Sequence, residues 1–173
     1  MICVLGWMDL KTCGCFLAAI AAHEAAHLLT ICLYRIPVYG VSLRFSGALI
    51  RCGFCGYKQE LYCAAAGPAA SLALGISVIR CAPQLAAVSL LLGVGNLLPI
   101  YPLDGGRILR ALLLLNKNEE YTAAVLVRVT FVTCCLLMAG ACWLTAELQI
   151  GLWPVFAALA VLCRVGSVSW KDF

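Results

Sequence analysis

The chain has 173 residues, of which 64% are hydrophobic and 12% are charged, and its formal net charge is +4. Average soluble chains are about half apolar and about a quarter charged, so this composition excludes an ordinary soluble domain and indicates an integral membrane protein. The net charge does not indicate a nucleic-acid partner, because the basic residues are spread between apolar runs, where they mark membrane topology.

The cysteine content does not indicate a disulfide framework. The chain has 12 cysteines, a number that would suggest disulfides in a small secreted protein. Most of them lie inside apolar runs, where free cysteine behaves as a small hydrophobe. No cleavable signal peptide is predicted. The first apolar run also carries His23, Glu24 and His27, which form a candidate metal site, so this run must be retained.

The first predicted membrane helix covers residues 12–34 and contains the sequence His23-Glu24-Ala25-Ala26-His27. Residues four apart on a helix lie about 40° apart around its axis and one turn from each other, so both imidazoles can reach one metal ion. Glu24 can act on a water bound to that ion, which is the H-E-x-x-H arrangement of zinc proteases. His23 and His27 are the only histidines in the chain, and ionisable groups at membrane depth are usually functional.

Two other interpretations of this motif remain open. The pentapeptide can arise by chance, or the two histidines can form a buried pair with a purely structural role. A haem site is a weaker interpretation, because two histidines on one helix face cannot take opposite axial positions.

Residues 38–51 differ from the apolar runs, because they mix β-branched, aromatic and polar residues with glycine breaks. This pattern predicts one or two short strands, or a hairpin, at the membrane interface or beside the first helix.

A second span follows at residues 61–79 and contains a run of small residues at 64–71. Small residues let helix backbones approach closely in lipid, which predicts a packing face against the first helix. A generic kinked span explains this run equally well.

The third predicted span begins at Gln84 and ends at about Tyr101, where two prolines and two glycines must break the helix. Residues 107–116 can form a short amphipathic helix, and two further spans are predicted at about 129–146 and 148–163. The expected fold class is an all-α polytopic membrane protein, with about five transmembrane helices and a short β-hairpin or strand segment after the first. We expect one domain over residues 1–173, with its core at about 12–116 and the further spans within 119–169.

The two histidines do not complete a catalytic zinc site, which usually has three protein ligands and one open position for water. Because the chain has no third histidine, the third ligand is expected to be a carboxylate. Among the remaining acids, Asp104 alone follows a broken helix at membrane depth, with glycines beside it. A helix-capping or turn aspartate would explain Asp104-Gly105-Gly106 equally well.

Three motifs in this order resemble the site-2 protease family of intramembrane zinc metalloproteases. They are His23-Glu24-Ala25-Ala26-His27, then Gly67-Pro68, and then Asn96-Leu97-Leu98-Pro99 leading into Pro102-Leu103-Asp104-Gly105-Gly106. The chain is most similar to the branch of the family that matures a sigma-factor precursor during bacterial sporulation. The resemblance covers about residues 16–113, and the last two spans fit only by hydropathy.

The resemblance implies a role for each candidate residue. His23, His27 and Asp104 would bind one Zn²⁺ per chain, Glu24 would activate a water, and Asn96 would contact the substrate backbone. The implied activity is hydrolysis of a peptide bond within or near a transmembrane segment of a membrane-bound substrate, such as a sporulation or signalling factor precursor. The implied partners are that substrate, the lipid bilayer and regulatory membrane proteins, with no nucleic acid. Relative to the family pattern, we expect the helix that often precedes the catalytic one to be missing or reduced.

Two functions from other classes remain as alternatives. The first is a catalytically inactive membrane chaperone or regulator, against which the intact Glu24 argues. The second is a metal transporter that uses the same ligands. Transporters often contain internal repeats, and none is visible in this sequence.

The basic residues predict a topology in the cell membrane. With five spans and an outside N-terminus, Lys11 and Arg80 lie outside, and the other ten of the 12 basic residues lie at cytoplasmic ends. His27 precedes Arg35 by eight residues, or about 12 Å along a helix, which places the site in the cytoplasmic half of the bilayer.

We also expect the Cys52–Cys55 pair to hold no metal, because a structural zinc needs about four ligands.

Overall fold

The structure is a computed structural model that describes residues 10–44, 47–53, 56–148 and 152–166. Across these residues it is mostly helical, with six helices and two strands. The helices are α1 (Leu10–Leu33), α2 (Tyr57–Ser77), α3 (Pro83–Asn96), α4 (Asp104–Leu114), α5 (Glu119–Leu148) and α6 (Trp153–Gly166), and the strands are β1 (Val38–Arg44) and β2 (Gly47–Cys52).

Two of the described helices are long and apolar enough to cross a membrane. They are α1 and the Glu119–Glu147 part of α5, whereas α3 and the Pro154–Cys163 part of α6 are apolar but shorter. The mostly helical architecture expected from the sequence is therefore confirmed. The count of five spans and the single domain over residues 1–173 stay predictions.

Helix α3 ends earlier than the sequence predicted, at Asn96 instead of about Tyr101. Pro99 explains the difference, because a proline has no N–H to donate and disfavours the helical conformation at the residue before it. The chain forms turns here instead, with the N–H of Ile100 bonded to the carbonyl of Leu98 and that of Leu103 to the carbonyl of Ile100, both at 2.7 Å. The next helix begins at Asp104, which places this carboxylate in the first helical turn.

The start of the last helix also differs from the prediction of about residue 148. Leu148 is the final residue of α5, and α6 begins at Trp153. Pro154 is therefore the second residue of α6, where a proline is tolerated because the first N–H groups of a helix have no partner within it.

The described chain divides into two compact units. The first contains α1, α2 and α3, which pack against one another in all three pairs. The buried positions of α2 are mostly small, namely Cys63, Ala64, Gly67, Pro68, Ser71 and Gly75. Small residues allow close helix packing where lipid offers no hydrophobic driving force between helices. The prediction of a packing face at residues 64–71 is therefore confirmed.

The second unit contains the two strands and helices α4, α5 and α6. Strands β1 and β2 pair antiparallel, with Val38 opposite Cys52 and Arg44 opposite Gly47, and the register shifts between Val38 and Gly40. Helix α5 packs against both α4 and α6. The buried core of this unit is formed by Ile100, Leu103 and Cys134.

Candidate metal centre

His23 and His27 lie on the buried face of α1. The buried residues of this helix are Ala19, His23, His27 and Ile31, which recur every four residues and therefore form one stripe. The side chains of His23 and His27 are only 4% and 8% exposed. Glu24, the next residue after His23, is exposed.

The two imidazole rings approach each other through their Nε2 atoms, which are 3.2 Å apart. The ring planes are inclined at 79°, with centroids 4.9 Å apart. Zinc binds histidine nitrogens at about 2.0–2.1 Å in near-tetrahedral geometry, so two nitrogens on one ion lie slightly more than 3 Å apart. The structure therefore brings together two of the predicted ligands at a separation that suits a shared metal ion.

Helix α2 fixes the other nitrogen of each ring. Nδ1 of His23 lies 2.9 Å from Oγ of Ser71, and Nδ1 of His27 lies 2.7 Å from the main-chain carbonyl oxygen of Cys63. A carbonyl oxygen only accepts, so Nδ1 of His27 donates the hydrogen, and the Nε2 atom of the neutral ring carries a lone pair. Metal-binding histidines are commonly held in this way by an outer hydrogen bond.

Gly67 lies between these two contacts, one turn from Cys63 and one turn from Ser71. A Cβ at this position would lie 2.2 Å from Nε2 of His27 and 2.7 Å from Nε2 of His23. Real Cβ atoms do not approach other atoms this closely, so any side chain here would displace both donor atoms. The main chain of α2 is thus packed directly against the edges of the rings that carry the Nε2 atoms.

Asp104 belongs to the second unit and is 7% exposed. Leu103 is the N-cap residue of α4, and Asp104 is the first residue of the helix. Its Oδ1 lies 3.6 Å from Nη1 of Arg107, one turn further along the helix. The negative charge in the first turn is also favoured by the positive end of the helix dipole.

The turn before Asp104 is held by two contacts inside the second unit. A Cβ at Gly106 would lie 2.5 Å from the nitrogen of Tyr101 and 2.6 Å from the carbonyl group of Ile100, so the turn folds back directly onto α4. The N–H of Tyr101 donates to Oγ1 of Thr130 on α5 at 3.1 Å. These contacts fix the backbone that carries the carboxylate.

Asn96 is the last residue of α3 and is partly buried. Its Nδ2 atom donates to the carbonyl of Leu92 in the same helix at 3.0 Å. One hydrogen of the Asn96 side-chain amide is therefore bonded within α3, while the amide oxygen can accept a hydrogen bond. Its contact with the substrate backbone stays a prediction.

Comparisons with known proteins agree with these motifs. Residues 77–137 match Peptidase family M50. The protein described as "Putative zinc metalloprotease Rip3" from Mycobacterium tuberculosis (strain H37Rv) is 36% identical over 127 residues, which cover 63% of this chain and 32% of that protein. Zinc metalloprotease MJ0392 from Methanocaldococcus jannaschii is 29% identical over 116 residues, which cover 60% of this chain and 34% of that protein. The chain is thus similar to Peptidase family M50 and to these zinc metalloproteases, in agreement with the resemblance of its motifs to the site-2 protease family.

A solved structure shares the fold of this chain. The Site-2 Protease from Methanocaldococcus jannaschii superposes with a TM-score of 0.63 and 22% sequence identity, covering 88% of this chain and 74% of that one. The chain spans about a third of the length of the curated relatives that it matches. The relation to the sporulation branch of the site-2 protease family stays a prediction.

The three residues predicted to bind the metal offer donor atoms that fit Zn²⁺. His23, His27 and Asp104 are all buried, and together they offer two imidazole nitrogens and one carboxylate oxygen. Zinc binds such nitrogen and oxygen donors, and three protein ligands leave the open position that a catalytic site needs. The Cys52–Cys55 pair lies outside the residues whose side chains the structure describes.

Three groups that the sequence motifs did not predict hold the two histidines or the turn before Asp104. These are the hydroxyl of Ser71, the main-chain carbonyl of Cys63 and the hydroxyl of Thr130. Ser71 left a weak signal, since it is the one hydroxyl residue in the small run at 64–71. The other two groups could not be predicted from the sequence. Every residue has a main-chain carbonyl, and a threonine within an apolar helix does not indicate a contact.

Proposed function

We propose that this chain forms the catalytic core of an intramembrane zinc metalloprotease. It hydrolyses a peptide bond within or near a transmembrane segment of a membrane-bound protein. The proposal rests above all on the histidine pair, whose Nε2 atoms lie 3.2 Å apart while both Nδ1 atoms bond to α2. A pair held only for structural reasons does not need both rings turned to face each other.

The ligands of the metal are His23, His27 and Asp104 in this proposal. The two histidines come from one face of α1, and the carboxylate comes from the first turn of α4. When bound, zinc supplies Lewis-acid activation of water and of the scissile carbonyl. The burial of the three side chains keeps bulk water from competing for the donor atoms.

Glu24 acts as the general base and then as the general acid. It follows His23 directly on α1 but is exposed, so its carboxylate is open to a substrate. It takes a proton from the attacking water and delivers that proton to the leaving amine. Apart from His23 and His27, the residues of α1 near Glu24 are apolar, so few other groups compete for this proton.

Asn96 and the two strands bind the substrate in this proposal. A transmembrane helix hides its peptide bonds, so the substrate must unwind locally before it can be cleaved. The amide oxygen of Asn96 can accept a hydrogen bond from the unwound backbone. The antiparallel pair of β1 and β2 can bind the same segment by strand addition, which uses main-chain hydrogen bonds at a sheet edge.

The proposed location rests on the basic residues, and the proposed substrate class rests on the family resemblance. We propose a multi-pass protein of the cell membrane whose site faces the cytoplasm, because ten of the 12 basic residues fall at predicted cytoplasmic ends. The proposed substrate is a membrane-bound precursor of a sporulation or signalling factor. That last assignment rests on the family resemblance.

Metal analysis combined with cleavage of a candidate substrate tests the proposal. Full-length protein should contain about one zinc per chain, as expected for a single three-ligand site. His23→Ala, His27→Ala and Asp104→Ala should each lower zinc content and abolish cleavage. Glu24→Gln should abolish cleavage and keep its zinc, because Glu24 acts on the water and does not bind the metal.

Glu120→Gln is a matched control, because it makes the same change at an exposed acid in the first turn of α5. It should retain both zinc and cleavage. If Asp104→Ala keeps full zinc, another carboxylate is the third ligand. Zinc binding without any Glu24-dependent cleavage would instead favour an inactive regulator or a transporter.

A further inference from the structure

Two tyrosines of the first unit join the end of α1 to the start of α2. The rings of Tyr34 and Tyr62 are nearly parallel, with an angle of 7° between their planes and 5.8 Å between their centroids. Tyr34 is 45% exposed and Tyr62 is 52% exposed. Tyrosine is apolar along its ring and polar at its hydroxyl, and it is enriched where lipid meets water. A stacked, half-exposed pair at two helix ends is therefore typical of a membrane surface.

The exposed surface of α1 changes from apolar to charged as the helix approaches this pair. Leu29 and Leu33 are both exposed on the helix. Tyr34 and then Arg35, which is also exposed, follow Leu33 directly in the chain. In a membrane this order corresponds to hydrocarbon, interface and lipid headgroup. We therefore expect the guanidinium group of Arg35 to lie at the level of the headgroups.

Helix α2 places a second cation beside the tyrosine pair. Lys58 is exposed and precedes Tyr62 by four residues, so these two side chains lie about one turn apart on the same face of the helix. Because Tyr62 stacks on Tyr34 and Arg35 follows Tyr34, both cations adjoin the same aromatic pair. Glu60 is the acid nearest in sequence, but it lies about 200° around the helix from Lys58.

The backbone of Arg35 has a conformation that favours glycine. Among the described residues other than glycine, Arg35 alone has a positive φ, of 49°. The N–H of Ile36 bonds to the carbonyl of Ile31 at 3.0 Å, and that of Arg35 to the carbonyl of Cys32 at 3.1 Å. This is a common helix end in which glycine usually occupies the position of Arg35, because it has no Cβ to strain. The helix end alone therefore does not explain an arginine at this position.

We propose that Arg35 and Lys58 bind the phosphate group of an anionic membrane lipid beside the stacked tyrosines. Guanidinium and ammonium groups both bind phosphate through charge-assisted hydrogen bonds. Neither cation forms an ion pair with another residue that the structure describes. The stacked rings hold the two helix ends together, so one headgroup can contact both cations. This inference goes beyond the proposed function and does not depend on cleavage.

The surroundings of the two cations favour a lipid over a protein partner. The exposed leucines of α1 continue from the tyrosine pair along a helix long enough to cross a membrane, so they offer a surface for acyl chains. The predicted topology places this end of the first unit on the cytoplasmic side, where anionic lipids attract basic residues. An acidic segment of a substrate protein would need the charges but not the leucines.

Native mass spectrometry of the full-length protein tests the inference, because bound lipids are resolved by mass. The probes are dioleoyl phosphatidylglycerol, dioleoyl phosphatidylcholine and glycerol phosphate, which has the phosphate without acyl chains. The wild type should bind phosphatidylglycerol more tightly than the other two probes. Equal binding of the two lipids would overturn the inference. So would binding of glycerol phosphate as tight as that of phosphatidylglycerol, since the ligand would then be a soluble phosphate.

Charge variants locate the binding. Arg35→Gly and Lys58→Gln should each lower the affinity for phosphatidylglycerol by about 5-fold, as expected for one cation near a lipid surface. Arg35→Lys should keep most of the affinity. The unfolding temperature of Arg35→Gly should not fall, because glycine adopts this φ without strain. Arg80→Gly is the matched control, since Arg80 is an exposed arginine beyond the other end of α2, and it should bind as the wild type does.

Two further results would overturn the inference. One is phosphatidylglycerol binding by Arg35→Gly and Lys58→Gln as tight as that of the wild type. The other comes from cleavage of a candidate substrate in vesicles of phosphatidylcholine alone, where both variants should match the wild type. Loss of cleavage there would assign the two cations to the substrate instead. If the wild type binds the lipid as expected but cleaves no substrate, the proposed function fails and the inference stands.

Discussion

The donor atoms of His23 and His27 lie against the main chain of α2, with no space for a side chain between them. The outer bonds to Cys63 and Ser71 hold the rings from one side, and Gly67 permits the close approach between these two contacts. Three positions spaced four residues apart on one helix thus determine the placement of both rings. A single residue in this stripe can disturb the metal centre without changing a ligand.

Gly67→Ala should therefore weaken zinc binding strongly. The added Cβ would lie 2.2 Å from one Nε2 and 2.7 Å from the other, so both nitrogens must move away from their shared position. We expect zinc affinity to fall by at least as much as for loss of an outer hydrogen bond, which is about 10- to 100-fold. Equilibrium zinc titration measures this change.

Gly14→Ala is the control for the glycine substitution. Gly14 lies on α1, and a Cβ there would meet no atom within 4 Å. Its zinc affinity should match that of the wild type. Tight zinc binding by Gly67→Ala would show that α1 and α2 can separate at little cost, and that the close packing is not required.

At the scale of secondary-structure elements, α5 supports the turn that leads into α4. Thr130 is 2% exposed, and its Oγ1 accepts the N–H of Tyr101 at 3.1 Å, three residues before Asp104. Polar side chains inside apolar helices are often used in this way to satisfy irregular backbone. Helix α5, which lies outside the catalytic core predicted at residues 12–116, thus helps to fix the turn before Asp104.

Thr130→Val should lower the free energy of unfolding by about 1–3 kcal/mol, since valine has a similar shape but leaves the N–H of Tyr101 without its acceptor. Thr133→Val is the matched control one turn away, where the hydroxyl donates to the carbonyl of Val129 within the same helix. That change should cost about 0.5 kcal/mol or less. Unfolding measured in detergent compares the two, and equal costs would contradict the role of the Thr130 bond.

At the scale of the whole molecule, the distribution of charge predicts how the chain lies in the membrane. Arg80 and the neighbouring Cys81 follow α2, in the turn predicted to face outside, and Cys81 is exposed. Cys52 lies in the 38–60 segment, which is predicted to face the cytoplasm. The two cysteines therefore give opposite expectations for a reagent that cannot cross the membrane.

An impermeant thiol reagent should label Cys81 in intact cells, and it should label Cys52 only in inverted vesicles. Cys81→Ser and Cys52→Ser identify the two signals among the 12 cysteines. Mass spectrometry of the labelled peptides provides the measurement. Labelling of Cys52 from outside intact cells would reverse the predicted orientation and move the site to the outer side.

The sequence by itself predicted the chemistry of the candidate site, and it determined the helical character of the chain. An i, i+4 histidine pair is a local pattern, and the helix period alone places both rings on one face of α1. The apolar composition likewise predicts helices, since a backbone in lipid must satisfy its own hydrogen bonds. The exact helix ends, such as that of α3 at Asn96, depended on how the proline-containing turn packs.

Only the tertiary structure decided what holds these ligands. The partners of His23 and His27 lie 48 and 36 residues away on α2, and Tyr101 meets Thr130 across 29 residues. No periodicity in the sequence links such positions, because each contact depends on how two helices are rotated and shifted against each other. A buried serine, a main-chain carbonyl and a glycine come to lie beside the two histidines only through that packing.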